Sequence, residues 1–241
     1  MVAIQDGNPR APRMAASFPV RFLRFIGRLA RGDVKKTWDN CVYRVSEYYY
    51  ERRFGVRTEG GQTLPELGIT NGECGHYSPV PYRFLQKVFA SLEVREGQDV
   101  FLDYGCGKGR ALIMAARLPF REVIGVDVSP RMCVAAQENI GRAATRLRCT
   151  KVRIYPGDAA DFAMPDEVSV IYFYNPFFGS ILAAVLDRIE KSLRRRSRQI
   201  TLIYFNDYEF ARQVRDRGWV RKLREYPFRG YHSCGVYQCE L

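Results

Sequence analysis

From residue 99 to the end of this 241-residue chain, short apolar runs rich in Val, Ile, Phe and Tyr alternate with stretches of helical period. That alternation admits few folds besides a parallel sheet covered on its faces by crossover helices. The runs "DVFLDY", "EVIGVDV", "KVRIYPG", "VSVIYFYNP" and "RQITLIYFN" read as strands, and continuous apolar runs such as "VSVIYFY" suit strands buried on both faces. Between them "KGRALIMAARL", "SPRMCVAAQENIGRAA", "SILAAVLDRIEKSLRRR" and "YEFARQVRDRG" read as helices, the second opening on an N-cap, Ser129, with Pro130 at the first helical position. The last segments, "VRKLREYPF" and "SCGVYQCEL", read as a pair of strands joined through Gly230, so a hairpin replaces the final crossover. The expected fold class is α/β, a doubly wound, mostly parallel sheet of seven strands with helices on both faces and an N-terminal helical extension.

Ahead of the sheet, "SFPVRFLRFIGRLARG" places Arg21, Arg24, Arg28 and Arg31 on one side of a helix beside Phe22, Phe25, Ile26 and Leu29. Such a helix either docks its apolar stripe on the main domain or meets an anionic partner, a membrane surface or a nucleic acid backbone. "TWDNCVYRVSEYYYERRFG" is a second helical candidate, residues 55–82 a turn-rich connection, and "YRFLQKVFASL" the helix leading into the first strand. The expected division is 1–75, a basic helical extension with its lead-in loop, and 76–241, the ligand-binding domain.

Gly105, Gly107 and Gly109 follow the first strand in "DYGCGKG". The spacing is G-x-G-x-G, neither the dinucleotide fingerprint G-x-G-x-x-G nor a P-loop, whose Lys is followed by Ser or Thr. Arg110, where the fingerprint has its third glycine, counts against a pyrophosphate pressed onto the turn but not against a ligand with a smaller anionic end. S-adenosylmethionine is such a ligand. Asp103 can accept from its ammonium, backbone N–H groups freed by the glycines can approach its amino acid part, Asp127 ends the second strand where an acid takes ribose hydroxyls, and Asp158 follows the third strand within reach of the adenine amine.

The ordered set "DYGCGKG", "GVDVSP", "GDAADF" and "NPFF" resembles the Rossmann-like (class I) methyltransferases that use S-adenosylmethionine. The lead-in "RFGVRTEG…LPELGI…YSPVPYRFLQKVF" looks like that of a bacterial branch of the family. The resemblance implies a strand order 3-2-1-4-5-7-6 with the last hairpin antiparallel. It also implies S-adenosylmethionine as cofactor, held by Asp103, Gly105, Cys106, Gly107, Gly109, Asp127, Val128, Asp158, Ala159, Tyr77 and Asn175. "NPFF" is similar to the (D/N/S)-P-P-(Y/F/W) motif of methyltransferases acting on amine or amide nitrogen, with Phe177 in place of the second proline. Asn175, Pro176, Phe177 and Phe178 are therefore the catalytic candidates. The Asn175 side chain and the Pro176 carbonyl would grip a target NH₂, and Phe177 or Phe178 would stack on a flat substrate or lie near the sulfonium. The implied activity is methyl transfer to an amine or amide nitrogen of a protein or RNA, with a small molecule or lipid as the alternative acceptor.

Tyr77, Pro79 and Tyr82 can fold over the cofactor as a lid or serve packing, and His76 and His232 are base candidates only if the fold brings them to the cleft. Seven cysteines without a CxxC pair suggest neither a disulfide framework nor a zinc site. No apolar run approaches the length of a membrane span and no secretory leader is apparent, so a cytoplasmic setting is expected. The net charge of +12 is concentrated at the two ends: residues 1–60 carry 12 Lys and Arg against 6 acids, and residues 191–241 carry 12 against 5. Basic ends leave open a non-catalytic module that binds RNA or an anionic membrane, and the "LRRRSR" run is expected at the sheet edge away from the cofactor. The third reading, a nicotinamide-dependent oxidoreductase, is disfavoured by Arg110 and the glycine spacing.

Overall fold

The computed structural model describes residues 34–205, 208–228 and 232–241. The basic N-terminal helix expected over residues 17–32 and the turn at Gly230 lie outside the described residues. Seven strands form one sheet: β1 (Val100–Tyr104), β2 (Glu122–Asp127), β3 (Val152–Pro156), β4 (Val168–Tyr174), β5 (Ile200–Phe205), β6 (Val220–Phe228) and β7 (His232–Cys239). Their order is β3-β2-β1-β4-β5-β7-β6, with β7 antiparallel to both its neighbours and the other pairs parallel. This is the architecture expected from the sequence.

The helices are α1 (Val34–Phe54), α2 (Leu64–Leu67), α3 (Tyr82–Phe89), α4 (Arg110–Ala116), α5 (Pro130–Ala143), α6 (Gly179–Arg195) and α7 (Tyr208–Val214). Burial separates two apolar layers. One joins Leu85 and Phe89 of α3 and Leu112 and Ile113 of α4 to Phe101 of β1. The other joins Leu182, Leu186 and Ile189 of α6 and Phe210 of α7 to Leu102 and Phe173. Strand β1 is buried throughout, as the centre of a sheet covered on both sides must be. Its register sets Asp103 beside Gly125 of β2 and Tyr172 of β4, which brings the carboxyl ends of β1, β2 and β4 together. In the same arrangement Arg198, just past α6, donates to the carbonyl of Val168 at the amino end of β4, and Arg195 pairs with Asp166 at 2.7 Å. The Arg-rich run thus sits at the opposite edge, paired, as expected.

The compact unit that holds the sheet begins at Ser46, well ahead of the boundary expected at residue 76. Within this unit Arg110 ties the lead-in segment to the sheet. Its side chain leaves the glycine loop and runs under the lead-in segment, donating to Glu47, to the Val80 carbonyl at 2.8 Å, to Thr58 Oγ1 at 2.7 Å and to Glu59 at 3.1 Å. The guanidinium carbon lies 4.1 Å from the centroid of the Tyr82 ring. Glu51 completes the cluster, accepting from Thr58 N–H at 2.8 Å and from the Tyr82 hydroxyl at 2.9 Å. Arg110, Glu47, Thr58 and Tyr82 are all buried, so the end of α1 and residues 55–81 are held to the sheet by a charged core.

Candidate active site

The carboxyl ends of β1, β2 and β4 and the segment 67–80 enclose a cleft with about 970 Å³ of empty space, part of it open to solvent. Of the candidates read from the sequence, Asp103, Asp127, Asp158, Tyr77 and Asn175 line it, as do Gly105, Cys106, Gly107, Val128 and Ala159. Pro176 and Phe177 also reach it. This is the crevice at the strand ends of an open α/β sheet, where β1's neighbours diverge and side chains of three strands converge.

Two acids dominate the floor. Asp127 closes β2, and its carboxylate accepts from the main-chain N–H of Gly107 at 2.8 Å through Oδ2 and from that of Ser129 at 2.9 Å through Oδ1. Each oxygen keeps a second lone-pair direction, so a carboxylate oriented in this way remains an acceptor. Burial pushes its pKa up and the two amide donors pull it back. The next helix opens as expected, with Ser129 at its N-cap and Pro130 at the first position, but the Ser129 Oγ is buried without a hydrogen-bond partner among the described residues and makes no cap bond. Asp103 is 2% exposed and has no hydrogen-bond partner among the described residues. Burial, and then the nearby charge of Asp127, hold its pKa well above the ordinary carboxylate value. A buried acid with nothing to pair with costs free energy that a cation would return. Asp158 is exposed, with Oδ1 fixed by Ala160 N–H at 2.8 Å. Burial raises the Cys106 thiol well above its usual range, which leaves it inert.

The glycines serve a purpose the sequence did not disclose. All three have left-handed backbone, with φ of 75°, 53° and 81° at 105, 107 and 109. A Cβ at Gly105 would collide with Pro176, one at Gly107 with the Tyr77 ring, and one at Gly109 would come within 3.1 Å of the Ala136 Cβ. The expectation of a main chain bare for a ligand is corrected in part: Gly105 and Gly107 make room first for side chains of this protein. Gly109 packs α4 against α5 and does not line the cleft. Tyr77 is held over the loop by its hydroxyl, which donates to the Thr58 carbonyl at 2.6 Å, and by Lys108, whose ammonium lies 5.0 Å from the ring centroid. Tyr82 does not fold over the cleft; it is wholly buried beside Arg110.

The turn after β4 differs from its expected chemistry in three ways. The Pro176 carbonyl accepts from Gly75 N–H at 2.8 Å, so the second acceptor of the amine grip is engaged by the protein itself. Phe177 is 4% exposed, its ring packed edge-on against Tyr104 and Phe173 at centroid distances of 6.2 and 6.0 Å, which fixes it in the core instead of leaving it free to stack on a substrate. Phe178 is 40% exposed and stands outside the cleft lining, at the N-cap of α6. Asn175 remains: its φ of 45° is the one positive value among the described non-glycine residues. Asparagine tolerates that region better than most side chains, and strain of this kind gathers at functional turns. His76 also lines the cleft, next to Gly75; the side chain of His232 lies outside the described residues.

The features that sequence reading missed are long-range. Glu73 supplies the cap that α6 lacks, its Oε2 accepting from Ser180 N–H at 2.9 Å, Ser180 Oγ at 2.6 Å and Ile181 N–H at 3.1 Å. These bonds hold its pKa below the usual carboxylate range. Residues 74 and 177 pair as an isolated antiparallel bridge, as do 62 and 77. Among the described residues no cluster of His, Cys, Asp or Glu suits a metal ion, and no helix is long and apolar enough to cross a membrane.

Comparison with known proteins bears on the fold and on one segment of the chain. Residues 101–196 match the family described as "Methyltransferase domain". The ribosomal protein L11 methyltransferases of Laribacter hongkongensis and Chromobacterium violaceum are each 29% identical, over 132 and 133 residues; each alignment spans 52% of this chain and 43% of the relative. The chain thus matches under half the length of those relatives. Among solved structures, a SAM-dependent methyltransferase from Aquifex aeolicus superimposes with a TM-score of 0.51 at 19% identity, over 65% of this chain and 89% of that one. A ribosomal protein L11 methylase from Lactobacillus delbrueckii subsp. bulgaricus does so with 0.51 at 14% identity, over 66% and 78%. At these identities the structures speak for the fold, and the family match speaks for the segment that carries the three acids. Residues 101–196 thus match a methyltransferase domain, and they lie in a sheet whose strand order is the one expected of the Rossmann-like methyltransferases.

Proposed function

We propose that this protein transfers the methyl group of S-adenosylmethionine to an amine or amide nitrogen, on a protein in preference to RNA or a small molecule. The observation that carries the cofactor half is the unpaired, buried Asp103 beside an Asp127 whose carboxylate is oriented by two main-chain donors. A zwitterionic nucleoside fits that pair. Its ammonium would meet Asp103, its ribose hydroxyls the free lone pairs of Asp127, and its adenine the Asp158 and Ala159 corner. The protein acceptor is supported by the relatives named for ribosomal protein L11, and a cytoplasmic setting accords with such a target.

When bound, S-adenosylmethionine supplies a methyl group activated by a sulfonium. The chain's own part is positioning. Asp103 and Asp127 hold the two ends of the nucleoside, Tyr77 and the lead-in segment exclude water above it, and the Asn175 amide accepts from an incoming N–H at the mouth of β4. With the Pro176 carbonyl engaged by Gly75, that grip has one acceptor, and alignment falls to Asn175 and the walls of the cleft.

Isothermal titration with S-adenosylhomocysteine tests the cofactor. Binding is expected, and Asp127→Ala should weaken it by about 1.5–3 kcal/mol through the lost charge-assisted bonds. Unchanged affinity in a folded variant would refute the assignment. For the acceptor, label from S-adenosylmethionine in a cell extract should be released by protease and resist ribonuclease.

A further inference from the structure

The segment between Thr58 and Val80 is fixed very differently at its roots and at its tip. At the roots, Thr58 is fully buried between Glu51 and Arg110, and Val80, 3% exposed, gives its carbonyl to the Arg110 guanidinium. At the tip, Glu73, half-buried, grips the start of α6 through one carboxylate oxygen, while its main-chain carbonyl accepts from Phe178 N–H at 2.9 Å. The neighbouring Gly75 N–H reaches the Pro176 carbonyl. Between roots and tip, Leu67, Ile69, Cys74 and Tyr77 form the roof of the cleft whose floor holds Asp103.

The cleft is open to solvent in part, but a nucleoside ligand that reaches Asp103, 2% exposed on its floor, lies beneath this roof. Opening at the roots would strip a buried arginine of its partners. Opening at the tip exchanges surface hydrogen bonds for bonds to water, so local opening starts there. We propose that Glu73 is a positioning residue that latches a hinged lid, residues 59–79, across the cofactor cleft, and that release of this latch sets the rate at which cofactor is admitted and discharged. The inference rests on the cofactor reading given above. It also places Glu73 in control of the turn that carries Asn175, since residues 73–75 pair directly with residues 176–178.

A latch closed both before and after binding leaves a specific kinetic trace. Weakening it speeds association and dissociation alike and changes the equilibrium constant little, whereas loss of an ordinary ligand contact speeds dissociation alone. Surface plasmon resonance with S-adenosylhomocysteine over immobilised full-length protein measures both rates. Glu73→Ala is expected to raise both by roughly 2- to 30-fold, the range set by losing a helix cap, with Kd changing by less than the rates do. Ser180→Ala, which removes one of the three bonds to Glu73, should move both rates the same way by less, and it carries the test if Glu73→Ala fails to fold. Amide hydrogen exchange of the wild-type protein should show residues 61–79 slowed by the ligand and those at 72–76 opening before those at 58 and 80. A rise in dissociation alone, or unchanged rates in both variants, overturns the latch. Absence of any wild-type response to the ligand overturns the cofactor reading instead, and the two failures are thereby told apart.

Discussion

Replacing Arg110 with methionine keeps most of the side-chain volume and removes the charge on which the lead-in segment is built. The structure sets the size of the effect. The wild-type side chain is 4% exposed and serves Glu47, Thr58, Val80 and Glu59 at once. In the variant, Glu47, 2% exposed, keeps the Tyr82 N–H at 3.0 Å and the neighbouring carboxyl of Glu59 but no cation, and the Val80 carbonyl loses its donor. Breaking a buried ion pair from one side costs about 3–5 kcal/mol. For a domain of this size about 2–4 °C of melting temperature goes with each kcal/mol, so a fall of roughly 6–20 °C is expected. Burial already pushes Glu47 up to about 7 in the wild type, against the pull of Arg110, and without the arginine it rises further. A carboxyl whose folded pKa is raised contributes stability that is full below its unfolded value and lost as pH rises through the folded one. The deficit of the variant should therefore deepen between about pH 6 and 8.5. Urea unfolding across that range, with the Glu47→Gln/Arg110→Met double variant alongside, is the assay. The double variant should recover a large part of the loss at the alkaline end. A single variant within about 1 kcal/mol of wild type, or a double variant no better than the single, would refute the charged-core argument.

Asp103→Asn removes the buried acid without changing its shape. Because burial raises the pKa of Asp103, the apoprotein loses stability as pH climbs toward that raised value, so the asparagine variant should gain on wild type with rising pH in denaturant titrations. The same variant should lose affinity for S-adenosylhomocysteine and abolish any proton release on binding, which calorimetry in buffers of different ionisation enthalpy reads directly; a gap that narrows with pH contradicts the assignment. Gly107→Ala forces a side chain against Tyr77 at a φ of 53°. It should destabilise by about 1 kcal/mol or more from the backbone alone and lift the roof from the loop; a thermal melt matching wild type with intact ligand binding would show that the close approach of Tyr77 is unimportant.

The sheet was readable because its evidence is local: β4 announces itself in seven consecutive residues, and each crossover helix in one continuous stretch between two strands. The positions of Asp103, Asp127 and Asp158 followed from strand ends alone, since the chain's return through helix and strand dictates where each acid surfaces. What escaped was pairing across distance. Arg110 read as an obstacle to a phosphate, yet its partners lie at 47, 51, 58, 59 and 80, and no window of sequence shows that a cation and three acids so far apart will meet. The cap of α6 escaped for the same reason, since an N-cap is sought beside its helix and Glu73 arrives from over a hundred residues upstream. Phe177 marked a departure from the nitrogen-acceptor motif without revealing that its ring would be absorbed into the core with Tyr104 and Phe173.

The left-handed backbone at Asn175 constrains how the mouth of the cleft can be probed. Any β-branched or bulky replacement there disturbs the main chain as well as the amide, and the disturbance passes straight to Pro176 and on to the glycine it leans against. An aspartate would keep the backbone but add a carboxylate near two acids, one of which, Asp103, burial and its neighbour Asp127 already hold well above the ordinary carboxylate range. Glycine alone erases the amide while leaving the bend undisturbed, so it is the substitution from which the chemistry of that side chain can be read cleanly.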